Sequence, residues 1–287
     1  MDHTYRPGKM IAEYVRTRSR CSRYFLRHVL PSVGELSKTF RLRNSATEKS
    51  CFVFGNGPSL STLDPDRIAH HQKRGMDVFC VNNYIFGNFS KTVKPDYYLA
   101  TDPGYYGLRG PGVDMPEETY QRIPELISTL NTGGVGCFVP IHFRRTNLLK
   151  KSWYFNDSEN LFSRNISPLR PRGYLSLSTM KALSMASWLG YKKIYICGMD
   201  HDYHLHLTVD PENQLSYVNR HFYNQKGKVT PLNEYTGGIS DHFWQSHLTF
   251  KNYYLFDRSK IINLAVKGFV DAFSRKTDID VHLPATE

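Results

Sequence analysis

The 287-residue chain has no apolar run near the ~20 residues that span a bilayer, and no continuous apolar core of a signal peptide. These absences lead to the expectation of a cytoplasmic protein, peripheral at the inner face of the cytoplasmic membrane. Its five cysteines, Cys21, Cys51, Cys80, Cys137 and Cys197, are scattered, odd in number and without a close pair. A disulfide framework and a thiolate zinc site are therefore disfavoured, and the three cysteines in strand-like runs read as reduced core thiols. No recognised nucleic-acid module accompanies the positive charge, so no nucleic-acid partner is expected. Internal repeats and low-complexity tracts are absent as well. The glycine turn at 55–59 has neither the third glycine of a dinucleotide fingerprint nor the Lys-Ser/Thr of a Walker loop, which weakens the NAD and ATP readings.

Acidic residues are scarce at the start of the chain. Residues 1–49 hold eleven Lys or Arg against four Asp or Glu, a surplus of seven out of the formal +11 of the whole chain. Arg16, Arg18, Arg20, Arg23 and Arg27 are interleaved with Ile11, Tyr14, Val15, Phe25 and Leu26. Residues 1–48 thus read as a basic amphipathic segment suited to an anionic membrane surface, or as a solvated helix packed beside the core.

The remainder, residues 49–287, belongs to a chain that is 40% hydrophobic and is long enough for one substantial core. Phe52-Val-Phe54 has the make-up of a buried strand and runs into Gly55-Asn56-Gly57-Pro58-Ser59. This turn reads as a phosphate-side nucleotide loop or as a plain strand-to-helix turn, with Gly55 and Gly57 allowing close approach. Leu60 to Arg74 then reads as a helix. Further strands are expected at Asp77 to Asn83, Asp96 to Asp102, Val135 to Pro140, Ile194 to Cys197 and Ile261 to Leu264. Residues 178–189 read as a core-facing helix with Gly190 as its C-cap, and Thr249 to Arg258 as another helix. Residues 141–175 read as irregular. Strands alternating with helices imply a mainly parallel α/β sheet of Rossmann type, a single nucleotide-binding domain, with residues 201–248 as a loop-rich lid.

Polar residues gather where strands end: Asn56, Asn82, Asn83, Asp102, Ser178, Asp200 and Asp202. In open α/β sheets that rim is where ligands bind. The lid adds six histidines, and Asp241-His242-Phe-Trp-Gln-Ser-His247 offers imidazoles able to take a proton from a hydroxyl. His201, His204 and His206 beside Asp200 and Asp202 could hold a metal. The helical His pair with a general-base Glu and any Cys ligand are missing, and no metal is assigned.

Gly-Asn-Gly-Pro-Ser-Leu (55–60), Asp-Val-Phe-Cys-Val-Asn-Asn-Tyr-Ile-Phe (77–86), Leu-Gly-Tyr-Lys-Lys-Ile-Tyr-Ile-Cys-Gly-Met-Asp (189–200) and a downstream histidine resemble, in the same order, bacterial sialyltransferases of glycosyltransferase family 42. Together with Lys-Pro-Asp-Tyr-Tyr-Leu-Ala-Thr-Asp (94–102), the blocks resemble the wider domain-of-unknown-function family 115. That superfamily includes the archaeal 6-hydroxymethylpterin diphosphokinases (MptE-like) and motility-associated sugar transferases. The resemblance covers about residues 50–275 and implies a GT-A-like variant of the Rossmann fold.

It also implies a glycosyltransferase that moves an acidic sugar, sialic acid or a relative such as Kdo, from a CMP-sugar donor to a bacterial surface glycan. Under it, Gly55, Asn56, Gly57, Ser59, Asn82, Asn83, Asp102, Ser178, Thr179, Gly198 and Asp200 form the donor site. His247 is the general base, with His242 as the competing assignment, and Tyr203 donates to the departing phosphate. No cofactor is implied. Where the sialyltransferases carry Asn-Pro after the third strand, this chain carries Asp102-Pro103, which leaves the donor open. The arginines of residues 144–172 suit a donor carboxylate. The acceptor is an oligosaccharide or lipid-linked glycan, and a homo-oligomer stays open. The alternative is a magnesium-dependent MptE-like diphosphokinase that gathers Asp102, Asp200 and Asp202 around the metal. A third reading keeps the nucleotide fold as a binding module without turnover.

Overall fold

The computed structural model describes residues 7–276 apart from 111, 112, 114, 174 and 233–237. Strand β1 (Ser50–Phe54) lies at the centre of the molecule because its side chains are apolar on both faces. Cys51 and Val53 point into one core and Phe52 and Phe54 into the other, the period-two alternation of an extended chain. β2 (Asp77–Val81), β3 (Tyr97–Leu99), β4 (Gly136–Pro140) and β5 (Ser152–Phe155) add to one side of β1 in sequence order. The chain then crosses back, and β6 (Lys193–Cys197), β10 (Ile261–Asn263) and β11 (Ser274–Arg275) add to the other side. All eight strands are parallel. The order reverses between β1 and β6, which makes their carboxyl ends the topological switch point.

Helices cover both faces, as buried parallel strands require. Ile68 of α3 (Pro65–Lys73), Phe89 of α4 (Phe89–Thr92) and Leu126 and Leu130 of α5 (Glu117–Thr132) pack on the Phe52 side. Met180, Leu183, Ala186 and Leu189 of α6 (Ser178–Leu189) pack on the Val53 side. Gly190 ends α6 in a left-handed C-cap at φ +85°, as expected for a residue without a β-carbon. The N-terminal segment forms α1 (Pro7–Tyr24) and α2 (Val33–Arg41). No helix among the described residues is long and apolar enough to cross a membrane.

Three segments differ from the sequence expectation. The helix expected over Leu60 to Arg74 is interrupted, because the Asp64 carboxylate accepts from the Asp66 and Arg67 amides and Pro65 opens a new helix. The stretch read as irregular at 141–175 contains β5, an edge strand whose Trp153-Tyr-Phe155 run is its only strong signal. The lid holds regular structure. It folds as an antiparallel sheet of β7 (Leu207–Val209), β8 (Leu215–His221) and β9 (Asn224–Pro231), followed by α7 (Ile239–Tyr253), which starts ten residues before the helix expected there. Its residues 233–237 lie outside the described residues.

Candidate functional site

At the switch point the ends of β1 and β6 cross almost in contact. The Gly55 amide donates to the Cys197 carbonyl and the Gly57 amide to the Gly198 carbonyl, each at 2.8 Å. A β-carbon on Gly55 would stand 2.1 Å from the Gly198 oxygen, and one on Gly57 2.4 Å from an Asp200 oxygen. Gly198 itself has φ +72°. The glycines are thus used for backbone-to-backbone approach, and the two amides that a phosphate loop would offer are already donating. Ser59 completes the clasp: its amide donates to Asp200 Oδ2 at 2.8 Å and its hydroxyl accepts from the Gly198 amide at 3.1 Å.

Above this crossing lies a cavity of about 480 Å³, within the roughly 300–1,000 Å³ usual for small-molecule sites. One wall is the start of α6, where no side chain caps the helix and Ser178 and Thr179 face the cavity. The positive end of a helix dipole there suits an anion. Asn82, held at φ +51°, donates to the Ser178 hydroxyl at 3.0 Å, and the Ser178 and Thr101 hydroxyls are hydrogen-bonded to each other.

The opposite wall belongs to the lid. Tyr217, Asn219 and Arg220 reach it from β8, and His242, Gln245, Ser246, Thr249 and Phe250 from α7. The floor beside them is a chain of polar rings. His201 Nε2 lies 2.5 Å from the Tyr253 hydroxyl and its Nδ1 lies 3.3 Å from the Tyr203 hydroxyl.

Charge in the cavity is set mainly by burial. It raises the Asp200 carboxyl above its ordinary range, against the pull of the Ser59 contacts. The same cause lowers His201 to about 4 and lowers His242, with His204 adding to the second shift. Both imidazoles are neutral at neutral pH. Burial keeps Tyr203 protonated and therefore a donor. Three residues that line this cavity each hold a buried acceptor-capable atom without a hydrogen-bond partner among the described residues: Asn56 Oδ1, Asp200 Oδ1 and His242 Nε2. Each such atom costs roughly 1–3 kcal/mol while unpartnered. A ligand rich in hydroxyl or N–H groups would remove that cost.

No family model matches the chain, and no curated protein matches it. Among solved structures the chain is similar to the MAf glycosyltransferase of Magnetospirillum magneticum AMB-1, with TM-score 0.50 and 12% identity over 88% of this chain. That likeness shows the fold. The chain spans 39% of the length of that protein. A second similarity, at TM-score 0.36 and 17% identity, is to the sialyltransferase CstII of Campylobacter jejuni, solved with cytidine-5'-monophosphate, over 80% of this chain and 85% of that one. The architecture of this chain is an α/β, Rossmann-like parallel sheet with helices on both faces.

Of the residues expected from sequence, the structure brings Asn56, Gly57, Asn82, Ser178, Thr179, Gly198, Asp200, Tyr203 and His242 to one cavity. Gly55 and Ser59 lie behind it in the clasp. Asn83 is turned away, accepting from the Tyr105 hydroxyl at 2.6 Å. Asp102 is outside the lining as well: its carboxylate accepts from the Gly104 amide at 2.8 Å, so the feature that left the donor open is a turn cap. With Asp102 elsewhere, Asp102, Asp200 and Asp202 do not gather, and no group of three or more His, Cys, Asp or Glu placed for a metal occurs among the described residues.

His247 is exposed, stacks on Trp244 at 5.7 Å between ring centroids and is not part of the lining. The arginines of residues 144–172 do not reach the cavity, and Arg172 is fully buried against Asp157 at 2.8 Å. The lining residues of β8 and α7 other than His242 belong to no motif of the sequence. Positions 242, 245, 246, 249 and 250 do carry the helical i, i+3, i+4, i+7, i+8 pattern, which was the available signal.

Proposed function

We propose that the chain is a glycosyltransferase that moves an acidic sugar, sialic acid or a relative such as Kdo, from a CMP-sugar to an oligosaccharide or lipid-linked glycan. The observation that carries this reading is the convergence of Asn56, Asp200 and His242, with their unpartnered buried atoms, on the switch-point cavity opposite an uncapped helix start. The donor phosphate sits at the start of α6, where the dipole and Ser178 favour it. Asn56 and Asp200 accept from hydroxyls of the donor. Neutral His242 takes the proton of the acceptor hydroxyl at Nε2 while the acceptor oxygen bonds to the anomeric carbon. The bond from that carbon to the phosphate oxygen breaks in line, and cytidine monophosphate leaves with the electron pair, steadied by the Tyr203 hydroxyl. Arg220, at the cavity wall, takes the role first given to the arginines of residues 144–172 and pairs with the sugar carboxylate.

A magnesium-dependent diphosphokinase is the second reading, favoured by the presence of Asp200 and Asp202 on the same cavity. Calorimetry of the full chain with CMP, UDP, GDP and ATP, each with and without magnesium, separates the two. The expected result is CMP binding that does not change with magnesium. Tight binding of ATP with magnesium and no response to CMP overturns the glycosyltransferase reading.

A further inference from the structure

The strongest feature outside the cavity is the outer surface of residues 10–40. Among the described residues, nine of the nineteen exposed large apolar side chains fall in this stretch. With about 100° per residue along α1, continued by the wider π-helical turn Phe25–Val29, the surface divides into three sectors. Thr17, Cys21 and Tyr24 face the domain: the Tyr24 hydroxyl meets His142 Nδ1 at 2.9 Å, and Cys21 meets the Glu159 carbonyl at 3.4 Å. Ile11, Tyr14, Val15, Phe25 and Leu26 form the second sector and are 44–65% exposed. Arg16, Arg20, Arg23 and Arg27 form the third, all exposed. The apolar sector continues across the domain surface, where Phe162 packs edge-on against Tyr14 at 5.3 Å beside exposed Leu161.

We propose that this face binds the surface of an anionic bilayer. A helix lying in the headgroup region buries an apolar stripe and sets cationic side chains along its border, which is the arrangement of these sectors. Arg18 lies inside the apolar sector with its guanidinium over Tyr14 at 5.8 Å, a position from which a long side chain reaches back to the headgroups. A second copy of the chain fits poorly, since a two-fold contact would bring the arginine rows of both copies together, and interface centres are depleted in charge. The face also lies at the carboxyl end of the sheet, the same end as the cavity, because His142 and Glu159 follow β4 and β5 there. The proposal rests on this surface and not on the catalytic reading.

The test is co-sedimentation of the full chain with neutral phosphatidylcholine vesicles and with vesicles containing phosphatidylglycerol, at low and high salt. Wild type is expected to favour the anionic vesicles by about 10-fold or more, less so at high salt. Ile11→Asp with Val15→Asp, and separately Arg23→Glu with Arg27→Glu, should each weaken that binding by about 10-fold or more. Both pairs are exposed, and unchanged circular dichroism and thermal unfolding confirm that the variants fold. Equal binding to both vesicle types, or unchanged binding by Ile11→Asp with Val15→Asp, overturns the proposal. So does a concentration-dependent dimer that this variant dissolves while wild type leaves vesicles unbound, which would make the face an interface between copies.

Discussion

His242 and His247 stand five residues apart on α7, about 140° around the helix at 100° per residue, so one cavity cannot be served by both. His242 is buried, lines the cavity and has Nε2 unpartnered among the described residues, while His247 is exposed on Trp244. His242→Ala is therefore expected to lower kcat by about 10²- to 10⁴-fold, and His247→Ala to leave it within about threefold, in steady-state assays of sugar transfer. Because the base must be neutral and burial lowers its pKa, activity should fall on the acid side through a limb below pH 6.5, the ordinary histidine value. A His247→Ala enzyme as crippled as His242→Ala would return the role to His247. The rim residues Asn56, Asn82, Ser178 and Asp200 were legible because strand ends in a parallel sheet share one edge. The choice between the histidines was not, since it depends on where α7 begins, and Gly238, at φ +113° before it, gives no side-chain cap to mark that start.

The β1–β6 crossing is the element on which the site is built, and its glycines are constrained by backbone rather than by ligand. Gly55→Ala sets a methyl group 2.1 Å from the Gly198 oxygen, where neither chain can yield without breaking the Gly55–Cys197 and Gly57–Gly198 hydrogen bonds. The expected cost is on the order of 3 kcal/mol of unfolding free energy in urea titrations. Gly34→Ala, in α2 with nothing within 4 Å of the new carbon, should instead stabilise by up to about 1 kcal/mol. Equal effects of the two substitutions would sink the close-approach account. The sequence places glycine at 55 and 57 but does not show what comes near them, because Gly198 is more than a hundred residues away. The lid was hidden for a related reason. β8 is half-buried and rich in polar residues, so its alternation is weak, and it becomes a wall only when Phe222, just after it, fills the space over Gly87 and its amide bonds to the Asn56 carbonyl at 2.9 Å.

Across the whole molecule, two histidines that join separate parts of the fold are kept neutral by burial. His142 ties α1 to the end of β4 through Tyr24, and His201 ties the switch point to α7 through Tyr253; each is lowered to about 4. The unfolded chain takes up these protons near pH 6.5 and the folded protein only near 4. Stability from this source is therefore complete above pH 6.5 and is lost as pH falls towards 4. Between pH 7 and pH 5 the expected loss is about 2 kcal/mol per histidine, because each tenfold difference in proton affinity between the folded and unfolded chain is worth about 1.4 kcal/mol. Asp96, Glu159 and Asp200 work in the opposite sense, since burial raises their carboxyl pKa values and the folded state binds those protons more readily than the unfolded one. Urea unfolding at the two pH values measures the balance, and His201→Gln separates the contributions by keeping an amide where the imidazole bonds while removing its titration. The variant should be less stable than wild type at pH 7 yet lose about 2 kcal/mol less than wild type does between pH 7 and pH 5. An undiminished loss would mean that the acid sensitivity lies elsewhere than in the link between the switch point and α7.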